Sequence, residues 1–208
     1  MLRYLIIVII YFSSVYSSCR KGIGCKEITY SFSTGIRAYP DSDSINVNDT
    51  IWVEFSNSTQ LHDINLGVNI DFSGANNLGT SIDYLKFTGG SISNPGVVPA
   101  ANDFDYNLVT GIFIPDPFQP EKNRDYQFVQ LGNEYKFKLG IVPKQIGVFA
   151  IAVSDASGVY RLNDNCAKAG FSITFANTNQ HLYFYEQNRP GYTPSGYEQT
   201  HMYCFKVK

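Results

Sequence analysis

An all-β sandwich with long loops is the fold this sequence predicts, on three observations. Apolar residues alternate with polar ones in short runs, as in Ile28, Tyr30 and Phe32 or Ile51, Val53 and Phe55, the period-two pattern of a half-buried strand. Clusters of Gly, Pro, Asn and Asp punctuate those runs, and no long 3.6-residue periodicity follows the N-terminal segment. Tyr and Phe contribute 15 residues each to a chain of 208, whereas charged residues make up only 16%. That balance favours sheets over exposed helices.

Strands are expected first around Ile28–Phe32, which Pro40-Asp41-Ser42-Asp43 ends in a turn. Ile45 and Val47 then lead through Asn48-Asp49 into a strand at residues 50–55, with Ile51, Val53 and Phe55 on one face and Trp52 and Glu54 on the other. Residues 57–102 are rich in Asn, Gly and Ser, with apolar islands at 66–72 and 82–87, so short strands with long loops are predicted there. Further strands are expected at 106–114, 126–131 and 135–141, with Gly132-Asn133 as a hairpin turn between the last two. The chain closes with strands at 148–153, 171–175, 181–185 and 202–207. Pro143-Lys144-Gln145-Ile146-Gly147 followed by an alternating strand resembles the late strands of bacterial immunoglobulin-like domains. The resemblance implies an immunoglobulin-like β-sandwich.

The N-terminus reads as an address. Arg3 precedes the apolar run Leu5 to Phe12, which is too short to cross a bilayer as a helix and matches a signal-peptide core. Ser17-Ser18-Cys19 resembles the lipobox of bacterial lipoproteins, although Tyr16 stands where the strict pattern has an aliphatic residue. The expected organisation is a lipoprotein-type signal peptide at 1–18, a tether at 19–26 and a single β-sandwich domain at 27–208. Cys19 would carry the lipid, and two or three acyl chains would hold the protein on a membrane effectively permanently. The competing reading is an ordinary secretory signal that leaves Cys19 for a disulfide. Arg20 and Lys21, with no acidic run after Cys19, favour the periplasmic face of the outer membrane over the cell surface.

With Cys19 lipidated, Cys25, Cys166 and Cys204 remain, enough for one intramolecular disulfide. Cys166 with Cys204 is the expected pair, closing a loop of about 39 residues that is worth roughly 4 kcal/mol on the chain-entropy model. Were Cys19 not lipidated, a Cys19–Cys25 pair would make the count even.

The formal net charge is −2 and no long basic run exists, which removes nucleic acid as a partner. His62, His181 and His201 form no recognisable metal or triad motif, and the acid pairs Asp41/Asp43 and Asp103/Asp105 lack the rest of a calcium loop. The sequence therefore points to no catalytic residue, metal or cofactor. Glu54 beside Trp52 suits a glycosidase-like cleft, but no second carboxylate is assignable to it. The triplets Asp43-Ser44-Ile45 and Asp49-Thr50-Ile51 resemble an O-glycosylation motif of exported proteins, and equally suit turn acids that begin strands.

The binding candidates lie near the C-terminus. On a strand at 181–185, Tyr183 and Tyr185 would share a face, and with Tyr192, Tyr197, Glu186 and Arg189 they would form a ring platform for a glycan or peptide. The alternative is that these tyrosines anchor the loop that follows. Asp49-Thr50-Ile51-Trp52, Ile141-Val142-Pro143-Lys144-Gln145 and the tail at 181–207 resemble a group of uncharacterised Bacteroidota-type outer-membrane lipoproteins. That resemblance implies an envelope address and brings no activity with it. The expected function is a non-enzymatic, membrane-anchored protein-interaction domain, with a carbohydrate-binding module as the alternative and a glycoside hydrolase behind both.

Overall fold

The structure, a computed structural model, describes residues 26–89, 96–118, 120–162 and 164–208. The expected signal peptide at 1–18, the expected tether up to residue 25, Cys19 and Cys25 lie outside the described residues. In chain order the strands begin with β1 (Ile28–Tyr39), β2 (Ser44–Ile45), β3 (Ile51–Ser58), β4 (Gln60–Asp63), β5 (Val68–Asp71), β6 (Ala75–Asn76) and β7 (Gly79–Phe87). Next come β8 (Val97–Pro99), β9 (Phe104–Thr110), β10 (Ile112–Ile114), β11 (Asn123–Gln127), β12 (Val129–Leu131), β13 (Glu134–Pro143), β14 (Gly147–Val153), β15 (Ala156–Arg161) and β16 (Asp164–Phe175). Two short helices, α1 (Tyr183–Asn188) and α2 (Gly196–His201), precede the last strand, β17 (Met202–Val207).

These strands build an all-β sandwich. An eight-stranded sheet runs β12-β13-β3-β1-β16-β15-β6 with β9 also on β13, and a seven-stranded sheet runs β10-β11-β7-β14-β17-β2 with β8 also on β7. β4 and β5 pair separately as a hairpin. Most pairs are antiparallel, but β1 runs parallel to β16 from Ile28↔Ala167 to Ile36↔Phe175, a pairing that joins the two ends of the domain. β1 then changes neighbours: Arg37, Ala38 and Tyr39 pair with Glu54, Val53 and Trp52 of β3.

The alternation that predicted the strands decides which side chains meet between the sheets. Phe32 and Ile36 of β1, Val53 and Phe55 of β3, and Phe137 and Leu139 of β13 are buried from one side. Tyr84 of β7, Phe149 of β14, and Tyr203 and Phe205 of β17 are buried from the other. Aromatic rings fill much of this space, with Phe55 stacked on Phe128 at 4.3 Å between centroids and Phe104 edge-on to Phe149 at 5.0 Å. Their size lets few residues span the gap between the layers.

Two expectations fail. The first is the Cys166–Cys204 pair. Cys204 is a free thiol, fully buried beside Phe87, Ala150, Phe184 and Met202, and burial pushes its thiol well up so that it stays protonated. Cys166 stands at the start of β16 in the other sheet and is engaged outside the described residues. The second is the strand at 181–185, where the chain forms α1 instead. β17 pairs with β14 on one edge, and on the other β2 takes Lys206 and Val207 while the Gln180 carbonyl takes the Cys204 N–H at 2.9 Å, which leaves too little edge for a further strand. His181, at φ 53°, turns the chain, and α1 lays Phe184 and Tyr185 over Phe87, Met202 and Cys204.

Candidate functional site

The C-terminal tyrosines are brought into one region, but most of their polar groups are spent inside the protein. Tyr185 is 3% exposed, packs edge-on against Phe87, and donates its hydroxyl to Glu198 Oε1. Arg189 donates to the same hydroxyl, and its guanidinium lies 3.9 Å from the Tyr192 ring centroid. Tyr192 donates to Glu198 Oε2 at 2.8 Å. Glu198 also closes a capping box with Ser195, which starts α2 by satisfying backbone N–H groups that the helix cannot. Tyr185, Arg189, Tyr192 and Glu198 thus form one clamp that fixes the 189–195 loop.

The other candidates stand apart from that clamp. Tyr183 donates to Asp43 Oδ2 at 2.8 Å; burial and this carboxylate push its hydroxyl up to about 12, and the bond holds the Asp43 carboxyl below its ordinary value. Tyr197 is 51% exposed, stacks on His201 at 4.0 Å between centroids, and donates to the Val153 carbonyl at 3.1 Å. Glu186 is exposed on α1 and makes no side-chain hydrogen bond among the described residues. No coplanar row of Tyr183, Tyr185, Tyr192 and Tyr197 exists, because a helix and a loop replace the strand that would have aligned them. The histidines are equally separate. His62 meets Asn69 at 3.1 Å, His181 meets the Cys204 carbonyl at 3.2 Å, and His201 meets Asp155 at 3.0 Å.

Two surfaces that the tyrosine reading missed are more open. One is a cleft of about 790 Å³ over the outer face of β1, where its pairing passes from β16 to β3. Arg37, Tyr39, Asp41, Glu54, Asn57 and Thr178 line it. Beside it, two cross-strand rows run over β1, β3 and β13: Arg37–Glu54–Lys138 and Tyr39–Trp52–Gly140. Lys138 Nζ lies 3.9 Å from Glu54 Oε1 and 5.2 Å from the Trp52 ring centroid. Gly140 permits this packing, since a Cβ there would stand 3.0 Å from Trp52 Cζ3. Glu54 and Trp52 were visible in the sequence as outward residues of one strand, which also carries Asn57, but Arg37 and Thr178 come from distant segments with no local signal.

The second surface is the end of the seven-stranded sheet. β10 is its terminal strand and turns Ile112 and Ile114 outward at 50% and 43% exposure, while Phe118 just beyond is 87% exposed. Phe113 points inward, where the Arg124 guanidinium lies 4.1 Å from its ring centroid and 4.1 Å from that of Tyr106.

No family model and no curated protein matches the chain. Among solved structures it is similar to a type II cohesin domain from the cellulosome of Acetivibrio cellulolyticus, at 10% identity over 68% of this chain and 91% of that one, with a TM-score of 0.26. It is also similar to the CupB6 tip adhesin from Pseudomonas aeruginosa, at 14% identity and a TM-score of 0.21, over 72% of this chain and 42% of the adhesin.

Proposed function

We propose that the chain is a non-enzymatic protein-interaction domain of the cell envelope, held on the outer membrane through Cys19, that docks a partner along the β10 rim. One observation carries the docking surface: Ile112, Ile114 and Phe118 are large, apolar and exposed at the end of a sheet. Clustered exposed apolar side chains are characteristic of contact surfaces, and a terminal strand offers unpaired backbone groups to an extended partner segment. The address rests on Arg3, the short apolar run and the small residues before Cys19.

Chemical cross-linking of intact envelopes tests the rim. The wild-type chain is expected to give a discrete heteromeric adduct, which the double variant Ile112→Asp, Ile114→Asp loses while its expression and melting temperature hold. An adduct of the same size and yield in the double variant contradicts the reading. Metabolic labelling with a fatty-acid analogue tests the anchor: Cys19→Ala is expected to abolish labelling, and labelling that persists removes Cys19 as the lipid carrier.

A further inference from the structure

We propose that the cleft over β1 is a binding site for a neutral oligosaccharide chain, separate from the β10 rim and from the clamp of Tyr185, Arg189, Tyr192 and Glu198. Its chemistry is that of a sugar site. A pyranose presents vicinal hydroxyls, each donor and acceptor at once, and a flatter face of C–H groups. Planar polar side chains pair with the first in twos, and aromatic rings cover the second. The cleft offers the Arg37 guanidinium, the Asp41 and Glu54 carboxylates, the Asn57 amide and the Thr178 hydroxyl around the Tyr39 ring. Among the described residues the side chains of Arg37, Asn57 and Thr178 make no hydrogen bond, so these groups are not spent on the fold as those of Tyr185 and Tyr192 are.

Charge selects a neutral ligand. Arg37 in the lining and Lys138 beside it, 3.9 Å from Glu54 Oε1, offset Asp41 and Glu54, so no run of like charge is left to hold a polyanion or a polycation. Shape selects a chain over a single ring. Asn177 and Thr178 also wall a second hollow of about 460 Å³, continuing past Asn179 and Gln180 to Tyr183 and Gln199. A ligand that passes Asn177 and Thr178 therefore has a further wall to lie along, most of whose amides, with the Tyr183 hydroxyl, already hold protein partners.

The walls are fixed before any ligand arrives. β1 and β3 are interior strands of the larger sheet. Where β16 ends, the Asn177 side chain takes over its pairing: Oδ1 accepts the Ala38 N–H at 2.9 Å, and Nδ2 donates to the Ala38 carbonyl at 2.7 Å. A site on such a frame loses little freedom on binding.

Trp52 is the only tryptophan in the sequence and sits directly across from the lining residue Tyr39, so its emission is the optical probe nearest this cleft. The test titrates the purified exported chain with linear neutral hexasaccharides of glucose, mannose and N-acetylglucosamine, and with a sulfated hexasaccharide and a hexalysine peptide as controls. The expected result is a saturable change in Trp52 emission with at least one neutral hexasaccharide and none with the controls. Asn57→Ala and Glu54→Gln are expected to raise the Kd about tenfold each, with unchanged melting temperatures. Silence with all three neutral sugars, an equal response to a charged control, or an unchanged Kd in both variants overturns the proposal. The Ile112→Asp, Ile114→Asp variant is expected to keep the titration, which separates a failure of this site from a failure of the rim.

Discussion

The Tyr192 hydroxyl reaches Glu198 Oε2 at 2.8 Å, and the Ser195 N–H donates to the same oxygen at 2.7 Å. One carboxylate thereby starts α2, holds two tyrosines and fixes the loop between the helices. Glu198→Gln keeps the shape and removes the charge, and it is expected to cost about 1–3 kcal/mol through weakened capping and the loss of charge-assisted bonds. Urea unfolding measures it.

The same carboxylate gives that cost a pH dependence. Burial pushes the Glu198 carboxyl up, but hydrogen bonds from Tyr185, the Ser195 backbone and Tyr192 outweigh it, so its pKa lies below the ordinary 4.5. A carboxyl whose pKa is lowered by folding contributes stability that is present above its unfolded value and lost as pH falls through the folded one. The gap between wild type and Glu198→Gln is therefore expected to be full at pH 7 and to shrink below pH 4.5. A gap equal at both extremes contradicts the clamp.

Two glycines test the packing of the sheets. A Cβ on Gly79 would lie 2.0 Å from the Tyr126 carbonyl oxygen of the paired strand, which is backbone and has nowhere to go. Gly79→Ala is expected to lose about 3 kcal/mol or more. Gly170, on β16, has open space where its Cβ would stand, and Gly170→Ala is expected to change stability by no more than about 0.5 kcal/mol. Comparable losses at the two positions, by thermal or chemical unfolding, contradict this arrangement of β7 and β11.

Much of this fold is legible in the sequence because burial on one face writes itself as alternation. β3, β13, β14 and β17 fall where Ile51, Tyr135, Val148 and Met202 announce them. β15 carries Ser157 and Gly158 in its centre and gives no such pattern, and β16 begins earlier than its apolar end suggests. The segment at 181–185 misleads for a different reason. Its alternation is real, but whether an alternating run becomes a strand depends on a long open neighbouring edge, and β2 and Gln180 already take the second edge of β17 at Lys206, Val207 and Cys204. The cleft was only half visible. Glu54 and Trp52 share one strand, whereas Thr178 reaches them through the parallel pairing of β1 with β16, a contact no local pattern encodes.

The cysteines give a prediction about the N-terminus. Ile28 pairs with Ala167, so the chain enters β1 alongside Cys166, while Cys204 is buried and free. Mapping of non-reduced peptides is expected to recover Cys25 linked to Cys166. Native protein is expected to leave Cys204 unalkylated until it is unfolded. A Cys19–Cys166 peptide contradicts the lipid-bearing role of Cys19.

The β10 rim is the proposed site of contact with another protein. A photo-reactive phenylalanine analogue at position 118, in the chain produced in its own envelope, tests it most directly, with the same analogue at Tyr160 on the other sheet as control. Irradiation is expected to give one discrete adduct from position 118, none from position 160, and none from position 118 once Ile112 and Ile114 are aspartate. No adduct from position 118, or the same adduct from both positions, contradicts the account.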